Sequence, residues 1–247
     1  MRLAHRFDGP EEAPLLVLSN SLGTTMRLWE PQLAAFTSGF RVLRHDHPGH
    51  GGSPVPDDPV SVEEIASAVL ELIDDERFSF CGLSLGGMVG MCLAAAVPER
   101  VETLTLCCTG AKLGTGEEWA ERAAMVRAEG TAALVDRSRE RWFTPAFRDS
   151  ATARSYLDEL LAIDREGYAR CCEALAGFDF RDRLGEIEAP TLVLVGEEDP
   201  VTPPEVVETL NEGIPNTETV VVPHASHLAN VEQPDAVAAA VLQEVRS

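Results

Sequence analysis

The chain predicts an α/β fold, a mostly parallel central sheet with helices on both faces and an inserted helical cap. Three observations lead there. Short apolar runs at residues 3–7, 15–19, 41–45, 78–81, 101–107, 191–195 and 218–222 alternate with helical patterns at 30–36, 62–74, 85–97, 205–211 and 235–245. Such alternation lays strands side by side in parallel and buries both faces of the sheet. The strand pattern stops between about residues 109 and 189, where helical periodicity runs through 117–129, 131–142, 151–163 and 165–176. These divide the chain into a core of residues 1–108 and 190–247 and a cap of residues 109–189, placed over the crevice where parallel sheets bind ligands. The third observation is a tight strand-to-helix turn, Phe80-Cys81-Gly82-Leu83-Ser84-Leu85-Gly86-Gly87.

In chain order, the first buried strand runs into Leu18-Ser19-Asn20-Ser21-Leu22-Gly23-Thr24-Thr25. A loop in that place can lend a backbone N–H to an oxyanion, and its offset from the strand selects Leu22. The turn at 80–87 carries a serine flanked two residues away by glycines, the pattern of a nucleophile elbow. The strained turn holds Ser84 out, glycines remove the clash between strand and helix, and the helix N-terminus favours negative charge beside it. The bland reading is a Gly-rich turn whose serine caps the helix. Leu85, directly after the nucleophile, supplies the second oxyanion N–H. Losing one such donor costs about 2.7–4 kcal/mol of transition-state stabilisation.

Past the cap, Leu192-Val193-Leu194-Val195 leads into Gly196-Glu197-Glu198-Asp199-Pro200. Asp199 lies on the rim, where it can orient a histidine; Glu197 and Glu198 are rivals nearer the strand. Val222-Pro223-His224-Ala225-Ser226-His227-Leu228 then offers two histidines. His227, directly before the apolar residues leading into Asn230-Val231-Glu232-Gln233-Pro234, is assigned as general base, and His224, closer to the strand, as a solvated or supporting residue; the order Ser84, Asp199, His227 is the one this arrangement uses.

Charge narrows the partners. The net charge is −21, from 41 acidic and 20 basic residues, and 19 of the basic ones are Arg. Such a surface repels nucleic acid and anionic membranes, so neither is an expected partner. The first residues show no apolar leader and no run spans a bilayer, so the expected location is cytoplasmic. Six Cys in the pattern 81, 92, 107–108 and 171–172, with no C-x-x-C pair beside a His, read as buried reduced thiols rather than a zinc site. The sequence leaves oligomeric state open.

Together these residues resemble the α/β-hydrolase fold family over essentially the whole chain, and within it the 3-oxoadipate enol-lactone hydrolases of aromatic catabolism. The fold-level marks are Asp46-His47-Pro48-Gly49-His50-Gly51-Gly52-Ser53, the elbow, Asp199 and His227. More selective are Ser19-Asn20-Ser21-Leu22-Gly23-Thr24, Arg141-Trp142-Phe143-Thr144-Pro145-Ala146-Phe147 and Gly167-Tyr168-Ala169-Arg170-Cys171-Cys172. Pro48 departs from the arginine that the group often carries there. The resemblance implies hydrolysis of a small anionic lactone to 3-oxoadipate in the β-ketoadipate pathway, through a Ser84–His227–Asp199 triad with no cofactor and no metal. Trp142 is the candidate for the cap residue over the substrate, with core packing between cap helices as the alternative, and the substrate's carboxylate calls for a cation. Arg141, which shares a helix face with Arg137, is the candidate, with Arg139 and Arg148 nearby; Asp136 and Glu140 could instead hold any of them in solvated ion pairs. The competing expectations are a carboxylesterase or cofactor-free perhydrolase with the same triad, and a non-catalytic small-molecule receptor.

Overall fold

The computed structural model describes residues 1–245. Seven strands make one sheet: β1 (His5–Asp8), β2 (Leu15–Ser19), β3 (Arg41–His45), β4 (Phe78–Leu83), β5 (Val101–Cys107), β6 (Thr191–Gly196) and β7 (Thr217–Val222). Their spatial order is β1-β3-β2-β4-β5-β6-β7, and only the β1–β3 pairing is antiparallel. Every residue of β2, β4 and β6 is buried, as expected of continuous apolar strands covered on both faces. The two edges are wetter: β1 exposes most of its residues, and Val221 on β7 is solvent-exposed.

The helices in chain order are α1 (Glu30–Phe36), α2 (Val62–Leu70), α3 (Leu85–Ala96), α4 (Gly116–Glu129), α5 (Val135–Trp142), α6 (Ala151–Ala162), α7 (Arg165–Gly177), α8 (Pro204–Gly213), α9 (Ala229–Glu232) and α10 (Pro234–Glu244). Helix α3 is buried along its first ten residues, and Gly and Ala there let it lie close against β4 and β5. Ser61 and Glu64 form a capping box at the start of α2, and Thr115 and Glu118 form another at α4. Among the described residues, 109–189 contain no strand, yet β5 and β6 pair in parallel. The chain therefore leaves the carboxyl end of β5, builds α4 to α7, and returns to the neighbouring strand.

The structure differs from the sequence expectations mainly at element ends. The strand expected at 3–7 begins at His5 and pairs antiparallel with β3, while Leu3 is buried in the core just before it. The helix expected over 131–142 divides into a 3₁₀ turn, Thr131–Leu134, and α5. The helix expected to reach residue 74 ends at Leu70. All six cysteines are buried and free of disulfides. Among the described residues no helix is long and apolar enough to cross a membrane.

Candidate active site

Ser84 sits between β4 and α3 with φ 56° and ψ −115°, a conformation that L-residues avoid. The surroundings over-determine it. Its N–H donates to the Cys107 carbonyl at 2.9 Å, and its own carbonyl accepts from the Thr109 hydroxyl at 2.7 Å and from the Gly87 N–H at 2.9 Å. The glycines allow the close approach that the turn needs. A Cβ on Gly82 would meet the Gly86 carbonyl oxygen at 2.1 Å, and one on Gly86 would meet the Ser19 carbonyl oxygen at 2.3 Å. The elbow is thus wedged against the end of β2, which carries the loop containing Leu22.

Two backbone amides flank this serine. Leu85 is the first residue of α3, where helix N–H groups have no intrahelical acceptor. Leu22 lies in the turn closed by the Thr24 N–H to Ser21 carbonyl bond. Among the described residues neither the Leu22 nor the Leu85 amide has an acceptor. The turn is pinned from below: Asp46 accepts the Met26 N–H at 2.7 Å and the Gly52 N–H at 2.9 Å, and the Asn20 side chain donates to the His45 carbonyl.

Asp199 and His227 are joined by an Nδ1 to Oδ2 hydrogen bond of 3.0 Å, with both side chains buried. The same carboxylate accepts the Thr202 hydroxyl at 2.5 Å and the Val201 N–H at 2.8 Å. Burial alone would raise the Asp199 carboxyl, but His227 and these two donors hold it below the ordinary carboxylate range. Its sequence rivals point elsewhere: Glu197 is exposed and accepts the His224 N–H, and Glu198 is exposed. His224 is exposed with φ 55° and shapes the turn.

A cavity of about 410 Å³ is lined by Ser84, Leu22, His227, Arg141, Trp142 and Tyr168 among others. Ser84 and His227 share this cavity but, among the described residues, no hydrogen bond joins them; unliganded serine–histidine pairs are commonly loose and tighten with substrate. Arg141 is joined on the wall by Arg137 and Arg122, and by Glu118 and Glu121. None of the three arginines forms an ion pair among the described residues, so the pairing of Arg137 or Arg141 with Asp136 or Glu140 does not occur. Arg122 instead lies over the Trp119 ring at 4.5 Å. Burial, then the like charges of Arg137 and Arg122, push the Arg141 guanidinium below its ordinary range. Arg139 pairs with Asp149 at the surface, and Arg148 does not line the cavity.

Sequence reasoning passed over Glu232 and Cys108. The buried Glu232 carboxylate accepts from the Thr144 N–H and hydroxyl and from the Ser226 N–H, tying the chain after α5 to the His227 loop. Further ties run from the Leu228 N–H to the Trp142 carbonyl at 3.0 Å and from the Ser226 hydroxyl to the Arg141 carbonyl at 2.9 Å. A lone Glu before Gln-Pro gives no sequence signal of this. Cys108, with φ 45°, brings its sulfur within 4.8 Å of ligand atoms of Asp199 and His227, a spacing that a metal ion could bridge. The neighbouring Cys107 thiol and burial hold the Cys108 thiol well above its ordinary range.

A strained serine at an elbow, the histidine of a buried Asp–His pair and the free Leu22 amide on one cavity are parts of a hydrolase of this architecture. Residues 16–240 match the model of the alpha/beta hydrolase family, and the chain belongs to that family. It is 40% identical over 233 residues to 3-oxoadipate enol-lactonase 2 of Acinetobacter baylyi, covering 92% of this chain and 87% of that one. Among solved structures it resembles the enol-lactonase from Burkholderia xenovorans, with a TM-score of 0.95 and 39% identity over 99% of this chain and 96% of that one. It also resembles a hydrolase from Pseudomonas aeruginosa, with a TM-score of 0.94 and 42% identity over 99% and 94%.

Proposed function

We propose that this protein is a serine hydrolase that opens the ring of 3-oxoadipate enol-lactone, giving 3-oxoadipate, in the cytoplasm and with no cofactor. The observation that carries the chemistry is the Asp199–His227 pair on the same cavity as Ser84 and the unbonded Leu22 amide. Similarity to enol-lactonases at about 40% identity supports the substrate. Residues 109–189 act as the cap that closes over the ring.

The steps follow from the groups present. The lactone carbonyl lies over Ser84 with its oxygen toward the Leu22 and Leu85 amides. His227 Nε2 takes the Ser84 proton as the oxygen attacks, and Asp199, on Nδ1, stabilises the imidazolium. The two amides hold the oxyanion, and the helix dipole of α3 adds to them. Collapse of the tetrahedral species expels the enol oxygen, which takes its proton from His227; the released enol then tautomerises to the ketone, losing the hydroxyl proton as its carbon gains one. Water, deprotonated by the same histidine, frees the acid from Ser84. Arg141, helped by Arg137 and Arg122, holds the substrate's carboxylate, and Trp142 covers the ring. Three guanidiniums against the two carboxylates of Glu118 and Glu121 leave this wall net positive, a local attraction for an anion in a chain of net charge −21.

The test is turnover of the enol-lactone by the purified protein, set against a neutral aryl ester of similar size. Preference for the lactone by a hundredfold or more in kcat/KM supports the reading; preference for the ester replaces the lactonase with a general esterase.

A further inference from the structure

We infer that His50 is a positioning residue for the oxyanion-binding turn: its imidazole fixes the Leu22–Gly23 peptide, and so holds in one form the turn whose preceding peptide carries the Leu22 N–H. The inference rests on the proposed role of that amide. His50 is fully buried below the turn and makes two hydrogen bonds at opposite corners of its ring. Nδ1 lies 2.9 Å from the Pro48 carbonyl, an acceptor, so Nδ1 carries the proton. Nε2 lies 3.1 Å from the Gly23 N–H, a donor, so Nε2 is bare. The two bonds are compatible only in the neutral ring with one tautomer. Burial pushes the imidazole down to about 4, so this form holds at neutral pH.

The turn explains why that bond matters. Ser21 to Thr24 close a four-residue turn, and Gly23 at its third position has φ 84°, the geometry of a type II turn. In such turns the central peptide, here Leu22 to Gly23, can flip to the type I orientation, which changes the backbone angles of both residues. The Gly23 N–H belongs to that peptide, and His50 holds it in one orientation. The ring of His50 is itself stacked on Tyr168 of α7, with centroids 6.2 Å apart, and packs edge-on against His47. A Cβ on Gly23 would meet Leu160 at 2.9 Å and Tyr168 at 3.2 Å, so the turn is boxed between the helical segment above and His50. The helical segment and the oxyanion turn therefore share this one imidazole as a contact.

Two variants separate the corners of the ring. His50→Gln places an amide oxygen near the Nε2 position and keeps the acceptor for Gly23. His50→Asn reaches only the Nδ1 position, keeps the Pro48 contact and leaves the Gly23 N–H without a partner. His50→Phe keeps the stacking and loses both. For folded variants, confirmed by circular dichroism and thermal melting, the expected kcat on the enol-lactone falls about 30- to 100-fold in Asn and Phe and less than about tenfold in Gln, with KM changed less than about threefold. These values lie below the 10²–10³-fold loss of removing an oxyanion donor outright. A trifluoromethyl ketone, whose hydrated or serine-bound oxygen occupies the same hole, should weaken in parallel with kcat/KM, while affinity for 3-oxoadipate stays unchanged. Asn and Gln losing kcat equally, kcat retained in Asn, or product affinity falling as much as ketone affinity each overturns the inference. So does failure of all three variants to fold, which would make His50 a stability residue of the loop. Absence of wild-type labelling at Ser84 by a fluorophosphonate is a different result, and it removes the serine-hydrolase reading itself.

Discussion

Replacing Asp199 by Asn probes how the buried pair works, and the structure sets the size of the effect. Both carboxylate oxygens are acceptors: Oδ1 takes the Val201 N–H, and Oδ2 takes the Thr202 hydroxyl and His227 Nδ1–H. An amide nitrogen placed at the first position meets the backbone N–H of Val201, which cannot turn away. Placed at the second, it meets a hydroxyl that can rotate and an imidazole that can change tautomer. The second arrangement costs less, and it puts the ring proton on Nε2, the atom that must accept the Ser84 proton. Loss of this kind lowers kcat by about 10⁴-fold where it has been measured in a triad, which corresponds to about 5 kcal/mol of barrier. KM should stay within about threefold, because Asp199 does not line the cavity. Steady-state kinetics on the enol-lactone measure it directly. A kcat within tenfold of wild type would show that Asp199 does not control the tautomer.

Three further outcomes are expected. Arg141→Gln should raise KM for the carboxylated lactone about 10- to 100-fold and leave a neutral aryl ester nearly unaffected, since a half-buried guanidinium without an ion pair is free for a ligand carboxylate; equal effects on both substrates would assign Arg141 to packing. Stability should fall with acid from about pH 6.5 toward 4. Burial lowers His45 and His50 from 6.5 to about 4, so below 6.5 the unfolded chain binds protons that the folded one refuses, and stability present above 6.5 is lost as pH drops. Between pH 7.5 and 5 this is about 2 kcal/mol for each histidine, or about 4 together, read by urea unfolding at the two pH values, and His47 adds in the same direction; a flat profile would contradict it. Gly86→Ala should destabilise by about 3 kcal/mol or prevent folding, because the added carbon falls 2.3 Å from the Ser19 carbonyl oxygen, which β2 holds in place; a melting temperature unchanged within 2 °C at wild-type activity would refute that wedge.

Much of this was readable before any coordinates, for physical reasons that differ by element. Strands β2, β3 and β5 announce themselves as compact apolar runs, and their limits coincide with the expected ones because turns bound them closely. The elbow is legible because the backbone there admits few residue types, so the glycines at 82 and 86 are forced by contact. Asp199 and His227 were found by their places after strand ends, although nothing in the sequence says that their side chains meet. The arginines show the limit. Arg137 and Arg141 share a helix face, but Arg122 comes from α4, and only packing of α4 against α7 and the 3₁₀ turn before α5 brings it to the same wall. Glu232 and His50 were opaque for a related reason: each is a polar residue in a loop or short helix whose partners lie far away in sequence, Thr144 for one and Gly23 for the other. Local pattern carries no information on such pairings.

The account depends most on Ser84 being the atom that attacks. Incubating the folded protein with a fluorophosphonate and mapping the adduct by peptide mass spectrometry tests this directly. One adduct per chain on Ser84, absent from Ser84→Ala and strongly slowed in His227→Ala, is the predicted result. A wild-type protein that hydrolyses the lactone while Ser84 remains unmodified, or that labels equally well without His227, would contradict it.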